Sequence, residues 1–157
     1  MTGIAKGFAL GACLALFAGC VSLPDVTKIN YVKVIEVPGV SASQLFAKTN
    51  VWAVGYFNKA DSVIEFSDKE SGVLSGKYIH SQVANAFGSN SVRSMFIIGV
   101  KDGKVRIELK PLELMSLNAY GQKVVPQFTS DPTSYILSSY EEIAQNLKTT
   151  LTQSSDW

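Results

Sequence analysis

Histidine, cysteine and charge are all scarce in this chain. Its 157 residues include one histidine and two cysteines, and 17% of the side chains are charged. These are too few nitrogen and sulfur ligands to build a typical zinc site, and too few cysteines for a disulfide framework. The 14 basic and 13 acidic side chains nearly cancel, which argues against nucleic-acid binding, because that function needs a basic field to neutralise phosphates. The sequence predicts no cofactor and no nucleic-acid partner.

The common catalytic motifs are also missing. No Gly-x-Ser-x-Gly, Ser-x-x-Lys or His-Glu-x-x-His pattern occurs, and these are the signatures of several serine hydrolases and zinc proteases. The hydrophobic content is ordinary at 46%, which excludes a disordered chain. The length suits one domain, since domains commonly span about 100–200 residues.

The first twenty residues have the layout of an export signal. Lys6 is their only charged side chain, and residues 8–18 form an uninterrupted apolar run that ends at Gly19. This layout is typical of a secretory signal, and the run is too short to span a bilayer, which takes about 20 apolar residues. Residues 16–20, Leu-Phe-Ala-Gly-Cys, resemble a bacterial lipobox, whose cysteine is acylated and becomes the new N-terminus. An ordinary cleaved signal or an uncleaved anchor is the alternative.

Cleavage before Cys20 would leave 157 − 19 = 138 residues with a formal side-chain charge of 13 − 13 = 0. Cys13 would leave with signal peptide 1–19, and Cys20 would carry lipid such as palmitate, so no disulfide could form. By resemblance to Gram-negative lipoprotein sorting, Val21-Ser22 lacks the aspartate that retains lipoproteins in the inner membrane. We therefore expect an outer-membrane anchor facing the periplasm, with residues 20–30 as a tether reaching at most about 33 Å.

Residues 31–152 are predicted to form a single α+β domain, and 153–157 a frayed tail. Runs rich in β-branched residues predict strands, and apolar side chains at helical spacing predict two helices. The predicted strands are 31–37, 62–67, 72–80 and the two arms of a hairpin around Asp102-Gly103, and the predicted helices are about 42–57 and 132–152. This β-α-β-β-β-β-α order indicates an antiparallel sheet of about five strands, packed by two helices on one face.

The hairpin is the strongest local prediction, because Asp102-Gly103 between alternating runs favours a two-residue type I′ turn. Counting outward pairs Val100 with Val105 and places the apolar partners on one face and the charged side chains on the other. The charged face includes a basic stripe of Lys101, Lys104, Arg106 and Lys110. A solvated surface is the default expectation for this stripe, and contact with anionic lipid headgroups or lipopolysaccharide is the alternative. Pro111 is expected to weaken the ladder, with 116–130 in a loop. The outward-facing side chains are Met95, Ile97, Lys101, Lys104, Arg106, Glu108 and Lys110.

Several of these segments, taken together and in order, resemble a known family, an exported bacterial lipoprotein domain of unknown function with a TATA-binding-protein-like fold. The resemblance covers about residues 31–115. It implies that fold and an exported context, but it implies neither an activity nor DNA binding. The segments are the Val37-Pro-Gly39 end of the first strand, the helix with Leu45 and Trp52, residues 66–72 (Phe-Ser-Asp-Lys-Glu-Ser-Gly), Gly76, and residues 100–106 around Lys-Asp-Gly-Lys.

The chain offers few candidates for acid–base chemistry. His80, its only histidine, falls at the end of the third predicted strand. Asp68 or Glu70 could act with it in a small hydrolase of cell-wall material, but an exposed strand-end histidine and solvated turn acids are the ordinary expectation. Glu141 and Glu142 fall in the first half of a helix, where acids favour the macrodipole.

The sequence favours a non-catalytic, membrane-anchored envelope module that binds another protein or an envelope polymer through its sheet face or an edge strand. Met95 and Ile97 are apolar on the outward face, so either the loop after Leu114 or a partner is expected to cover them. The alternative is the small hydrolase, which a carboxylate within hydrogen-bonding reach of His80 in a deep pocket would favour. The candidate binding surface comprises Met95, Ile97, Lys101, Lys104, Arg106 and Lys110.

Overall fold

The computed structural model describes residues 25–58, 62–81, 88–118, 120–124 and 131–153. The predicted α+β class and element order are confirmed in these residues. The sequence predicts only an extended stretch at 123–125 within a loop, and residues 123–124 form a sixth, short strand, β6. The predicted signal peptide and Cys20 lie outside them. In chain order the elements are a 3₁₀ turn (Val26–Lys28), β1 (Tyr31–Glu36), α1 (Ala42–Tyr56), β2 (Val63–Asp68), β3 (Val73–Ser81), β4 (Gly88–Lys101), β5 (Lys104–Asn118), β6 (Lys123–Val124) and α2 (Pro132–Thr152).

The strands form one antiparallel sheet in the order β1-β5-β4-β3-β2, with β6 paired to the far end of β5. β1 pairs with β5 from Lys104 to Leu109, and β6 pairs with it at Ser116 and Leu117. Because β4 occupies the other edge of β5 along its length, β1 and β6 flank the same edge. The 3₁₀ turn directly precedes β1 and also packs on β5.

The β4–β5 hairpin has the predicted register through all its apolar pairs, but its turn is not the predicted type I′. That type needs a positive φ at both central residues, and here Gly103 has φ +72° whereas Asp102 has no positive φ. Both turn residues make hydrogen bonds to the segment that leads into α1. Asp102 accepts a hydrogen bond from the amide of Ala42 over 2.6 Å, and the Gly103 amide donates to the carbonyl of Val40 over 2.9 Å.

The pairing of β5 with β4 is interrupted at Pro111, where the sequence predicts a weaker ladder, but the strand continues beyond it. The register shifts at this point, where Pro111 lies opposite Ser94 and Leu112 has no partner on β4. Such a bulge is one of the few places in a sheet that tolerate the missing amide of proline. β5 therefore runs on to Asn118, and the first part of the predicted loop at 116–130 is strand.

Both helices begin where the sequence predicts and pack on the same face of the sheet. The spacing of Ser41 and Gln44 in the sequence predicts a capping box, and the two residues form it at the start of α1. Asp131, directly before Pro132, is a favourable N-cap residue, and it caps α2. The indole nitrogen of Trp52 donates a hydrogen bond to Oδ1 of Asn146, which joins the two helices over 2.8 Å. Neither described helix is long and apolar enough to cross a membrane. The largest fully buried side chains of the core are Ile35, Leu45, Leu74, Val92, Phe96, Ile98, Ile107, Leu109, Ile136, Tyr140, Leu147 and Leu151.

Gly76 of β3 lies where the sequence suggests a bulge or a close helix. The register between β2 and β3 does shift, between Ile64 and Phe66. A Cβ atom at position 76 would lie 2.3 Å from the carbonyl oxygen of Val63 and 2.7 Å from the ring of Phe96. The close neighbours are therefore the two flanking strands rather than a helix.

Candidate functional site

The sheet face opposite the helices carries the predicted binding residues, and no described element covers it. We call it the outer face. Met95 lies opposite Lys110 and Ile97 lies opposite Glu108, as the sequence predicts. The chain after Leu114 continues as a strand. Its described residues therefore do not form the loop that was expected as one possible cover for Met95 and Ile97. Both apolar side chains are half-buried among their neighbours on the sheet.

One row of side chains crosses the outer face from edge to edge. The register aligns Val32, Glu108, Ile97, Ser75 and Phe66 on β1, β5, β4, β3 and β2. Neighbouring strands lie about 4.8 Å apart, so this row is about 19 Å long. Val32 is 43% exposed and Phe66 is 51% exposed. The two ends of the row are therefore apolar and exposed, and half-buried Ile97 lies between them.

Glu108 changes the character of the predicted basic stripe. The residue is 9% exposed, and its carboxylate lies 2.5 Å from Nζ of Lys110 and 2.8 Å from Nη2 of Arg106. The hydrogen bond from Lys110, together with that from Arg106, lowers the pKa of Glu108. The carboxylate therefore stays charged, pairs with both cations and reduces their combined charge from two to one. Lys101 and Lys104 form no salt bridge with any residue that the structure describes.

Two further cations on the outer face have acidic partners. Arg93 lies 2.7 Å from Glu113 across the β4–β5 pair, and Lys77 lies 2.7 Å from Glu65 of the β2 bulge. The outer face is thus close to charge balance away from the β4–β5 turn. The positive charge of the basic stripe is smaller than predicted. The alternation of the sequence shows which face the cations share, but it does not show which acidic side chains contact them.

A second candidate site is a cavity of about 380 Å³ between the end of α1, β3 and α2. It forms because α1 ends beside β3 and α2 passes over the same strand. Aromatic rings and hydroxyl groups line much of it, a composition that could bind a small organic molecule. The polar and aromatic lining residues are Tyr56, Phe57, Ser62, Tyr78, His80, Ser139 and Glu142.

His80 lines this cavity and is not the exposed strand-end residue that the sequence predicts. Its imidazole stacks between Tyr78 and Tyr135, with ring centroids 5.5 and 5.6 Å away. Its Nδ1 lies 3.2 Å from the hydroxyl of Ser139, and its Nε2 lies 3.4 Å from that of Ser94. Burial lowers the pKa of His80 to about 4. The ring is therefore neutral near pH 7, and the prediction failed because α2, remote in sequence, packs over it.

The hydrogen bonds around His80 form a chain of neutral groups. Ser94 lies 2.7 Å from the hydroxyl of Tyr140 as well as near the imidazole. Burial raises the pKa of Tyr140 to about 12, so the phenol stays protonated. General-base activation of a hydroxyl needs a third group that orients and stabilises the imidazole as it takes up a proton. Among the described residues, the groups that contact His80 and could act as this third group are hydroxyls and aromatic rings, and none of them is a carboxylate.

The predicted pairing of His80 with Asp68 or Glu70 does not occur. Asp68 lies opposite Val73, seven residues along β3 from His80, which corresponds to about 23 Å of extended strand. Its carboxylate accepts hydrogen bonds from the amides of Glu70 and Ser71, 3.0 and 3.3 Å away. Asp68 therefore closes the β2–β3 turn.

Glu141 and Glu142 have different surroundings on α2. Glu141 accepts a hydrogen bond from the hydroxyl of Tyr31 over 2.6 Å and pairs with Lys33 of β1. Those contacts, the one with Lys33 foremost, lower the pKa of Glu141. It joins α2 to the edge strand, a contact that sequence spacing does not reveal. Glu142 lines the cavity but makes no hydrogen bond to His80 within the described part of the chain.

Comparison with known proteins supports the fold. Residues 31–114 match the family DUF4468, a domain of unknown function with TBP-like fold, where TBP denotes the TATA-binding protein. A DUF4468 family protein from Bacteroides ovatus has a similar structure, with a TM-score of 0.61, 14% identity, and coverage of 89% of this chain and 95% of that chain. No curated protein matches the sequence.

A second solved structure, a TBP-like protein from Parabacteroides distasonis, has a TM-score of 0.62 and 14% identity, and the match covers 87% of this chain and 99% of that chain. At such identity the two likenesses show the fold alone. The TBP-like fold and the family that the sequence resembles are confirmed, and the family match extends from β1 through most of β5. The chain therefore belongs to the DUF4468 family of domains of unknown function with a TBP-like fold.

Proposed function

We propose that this protein is a lipid-anchored, non-catalytic module of the bacterial cell envelope that binds another protein through its outer face. The sequence of residues 1–20 supports the anchor, with Cys20 as the acylated residue. Val21-Ser22 supports outer-membrane sorting, which would place the domain in the periplasm. The confirmed family and fold are compatible with this role and assign no activity of their own.

The uncovered outer face, whose charged side chains away from the β4–β5 turn are paired, is the observation that carries the proposal. An anionic polymer or nucleic acid would favour a row of unpaired cations, whereas Glu108 pairs with both Arg106 and Lys110 here. Protein interfaces instead combine an apolar patch with paired polar groups. Val32 and Phe66 at the ends of the central row supply exposed apolar area of this kind, so a protein partner fits better than an envelope polymer.

The surroundings of His80 support a non-catalytic role over the small hydrolase. Hydrolysis would require a base that gains a proton near neutral pH. The imidazole here has a pKa lowered to about 4, and its described partners are the serine hydroxyls of residues 94 and 139. The imidazole of His80 is better suited to packing as a neutral polar group beneath α2.

Palmitate labelling of cells that express Cys20→Ala tests the anchor. We expect the label on the mature protein to be lost and the protein to leave the membrane fraction. Cys13→Ala is the matched control, since Cys13 lies inside the apolar run and would be removed with the signal. Undiminished label in the Cys20 variant would refute lipidation at this site.

Photo-crosslinking in intact envelopes tests the partner surface. A photoreactive residue at Phe66, on the outer face, should give a protein adduct that survives purification of the membrane. The control position is Val51 on α1, which is 74% exposed and lies on the other side of the molecule. An adduct from Val51 with none from Phe66 would move the interface to the helices and contradict the proposal.

A further inference from the structure

The folded domain begins close to the predicted lipid-bearing residue. The 3₁₀ turn places Val26 in the core with 4% exposure, and Asp25 caps that turn by accepting a hydrogen bond from the amide of Thr27. Four residues therefore separate Cys20 from Asp25, rather than the ten that separate it from Tyr31 in the predicted tether. The five Cα–Cα steps from Cys20 to Asp25 span at most about 17 Å, so Asp25 must lie near the membrane surface if Cys20 is acylated.

The direction in which the chain enters shows which end of the sheet faces the lipid. β1 is antiparallel to β5, with Tyr31 opposite Leu109. Residues before Tyr31 therefore extend toward the later part of β5, and the 3₁₀ turn does pack on that strand. This end of β5 carries the β5–β6 hairpin. Lys101 and Lys104 lie at the opposite end, beyond Leu109 by about 17 Å of strand.

The described residues at the tip of the β5–β6 hairpin, Asn118 and 120–122, are joined by hydrogen bonds and expose an aromatic ring. Oδ1 of Asn118 accepts hydrogen bonds from the amides of Tyr120 and Gln122, 3.0 and 2.9 Å away. Gly121 takes φ +75°, a left-handed conformation that glycine adopts at no steric cost. The side chain of Tyr120 takes part in none of these bonds, and the residue is 88% exposed.

The side chains beside this tip are those that favour a membrane–water interface. Leu117 is 36% exposed and Val124 is 43% exposed. Lys123, which lies opposite Leu117 in the pairing of β5 with β6, is also exposed. Tyrosine places its ring among lipid headgroups while its hydroxyl stays hydrated. Lysine extends its ammonium group toward anionic headgroups along an apolar stem.

We propose that the β5–β6 hairpin is a membrane-contact surface whose Tyr120 lies in the headgroup layer of the bilayer that holds the acyl chains of Cys20. The inference rests on the lipid anchor of the proposed function. The anchor and the hairpin contact together hold the sheet end-on to the membrane, so that the β4–β5 turn points away from the bilayer and the outer face is free to bind a protein. Lipid contact is thereby assigned to this hairpin instead of the basic stripe of β4 and β5.

Spin labelling of the full-length lipoprotein in vesicles tests this orientation. Tyr120→Cys and Lys101→Cys would each carry one nitroxide, because Cys20 is acylated and Cys13 leaves with the signal. The vesicles contain phosphatidylethanolamine with a minority of phosphatidylglycerol, and palmitate incorporation is measured on the same samples. We expect the ratio of oxygen to water-soluble nickel collisions to be severalfold higher at position 120 than at position 101.

Each other outcome overturns the proposal in a different way. Equal, water-like ratios at both positions on a palmitoylated protein would overturn the hairpin contact and leave the anchor standing. A higher ratio at position 101 would transfer lipid contact to the β4–β5 end. An absence of palmitate would overturn the anchor and the orientation together. Tyr120 and Lys101 are both solvent-exposed, so neither substitution should disturb folding.

Discussion

At the scale of single residues, the imidazole of His80 determines how this domain responds to mild acid. It is the only histidine in the chain, and α2 encloses it against β3. Burial lowers its pKa from 6.5 to about 4, so the unfolded chain binds the proton more tightly than the folded one. Stability must then fall as the pH drops below 6.5, because protonation favours the unfolded state until the folded ring also titrates.

We expect the wild type to lose about 2 kcal/mol of unfolding free energy between pH 7 and pH 5. His80→Gln should lower stability at pH 7 but remove most of this slope, because glutamine does not titrate. Urea denaturation followed by the fluorescence of buried Trp52 would measure both proteins. The carboxylates with lowered pKa, such as Glu108 and Glu141, destabilise the fold only at lower pH. An equal slope in the His80 variant would show that another group is responsible.

At the scale of elements, β2 depends on the absence of a side chain at Gly76. A Cβ there would overlap the carbonyl of Val63 and the ring of Phe96, at 2.3 and 2.7 Å. Backbone and a fully buried ring cannot move aside easily, so we expect Gly76→Ala to cost about 2–3 kcal/mol. Hydrogen exchange should show the amides of β2 and the facing side of β3 losing protection first.

Gly99→Ala is the matched control for that substitution. Gly99 lies in the adjacent strand β4, and a Cβ there would meet no atom within 4 Å. Replacing it should leave stability unchanged or slightly higher, because alanine reduces the conformational entropy of the unfolded chain. Equal destabilisation by the two substitutions would refute the steric explanation and indicate a general intolerance of side chains in this sheet.

The elements that the sequence predicted well were those with local signals. The capping box of Ser41 and Gln44, the cap of α2 at Asp131 and the alternation around Asp102-Gly103 each depend on residues close in the chain. The last residues of β5 were missed because 116–130 were expected to form a loop. The weaker ladder expected at Pro111 corresponds to a bulge in the pairing with β4, and the strand continues beyond it.

The candidate sites needed contacts that no local pattern contains. The enclosure of His80 depends on Ser139 and Tyr135 of α2, which are 59 and 55 positions away in the chain. The pairing of Glu108 with two cations of the basic stripe could be suspected from the sequence, because Glu108 alternates with Arg106 and Lys110 on one strand. Its near-complete burial, by contrast, depends on the neighbouring strands β1 and β4, so spacing alone could not predict a salt bridge.

At the scale of the whole molecule, the docking of the 3₁₀ turn limits how far the domain could stand from a membrane if Cys20 carries lipid. A chain that met the fold only at Tyr31 would allow many orientations. Because the 3₁₀ turn packs on β5, the proposed anchor would allow fewer. The docking of Val26 in the core is therefore the structural basis of the orientation proposed above.

Val26→Ala tests that docking. Val26 is 4% exposed, so removing two buried methyl groups should destabilise the domain by about 2 kcal/mol in urea denaturation of the full chain. The matched control is Val54→Ala on α1, where valine is 56% exposed and alanine is the better helix former, so the change should be neutral or slightly stabilising. If both variants were equally stable, the 3₁₀ turn would not be fastened to the core. The tether would then extend to Tyr31, and the domain could tilt freely above the membrane.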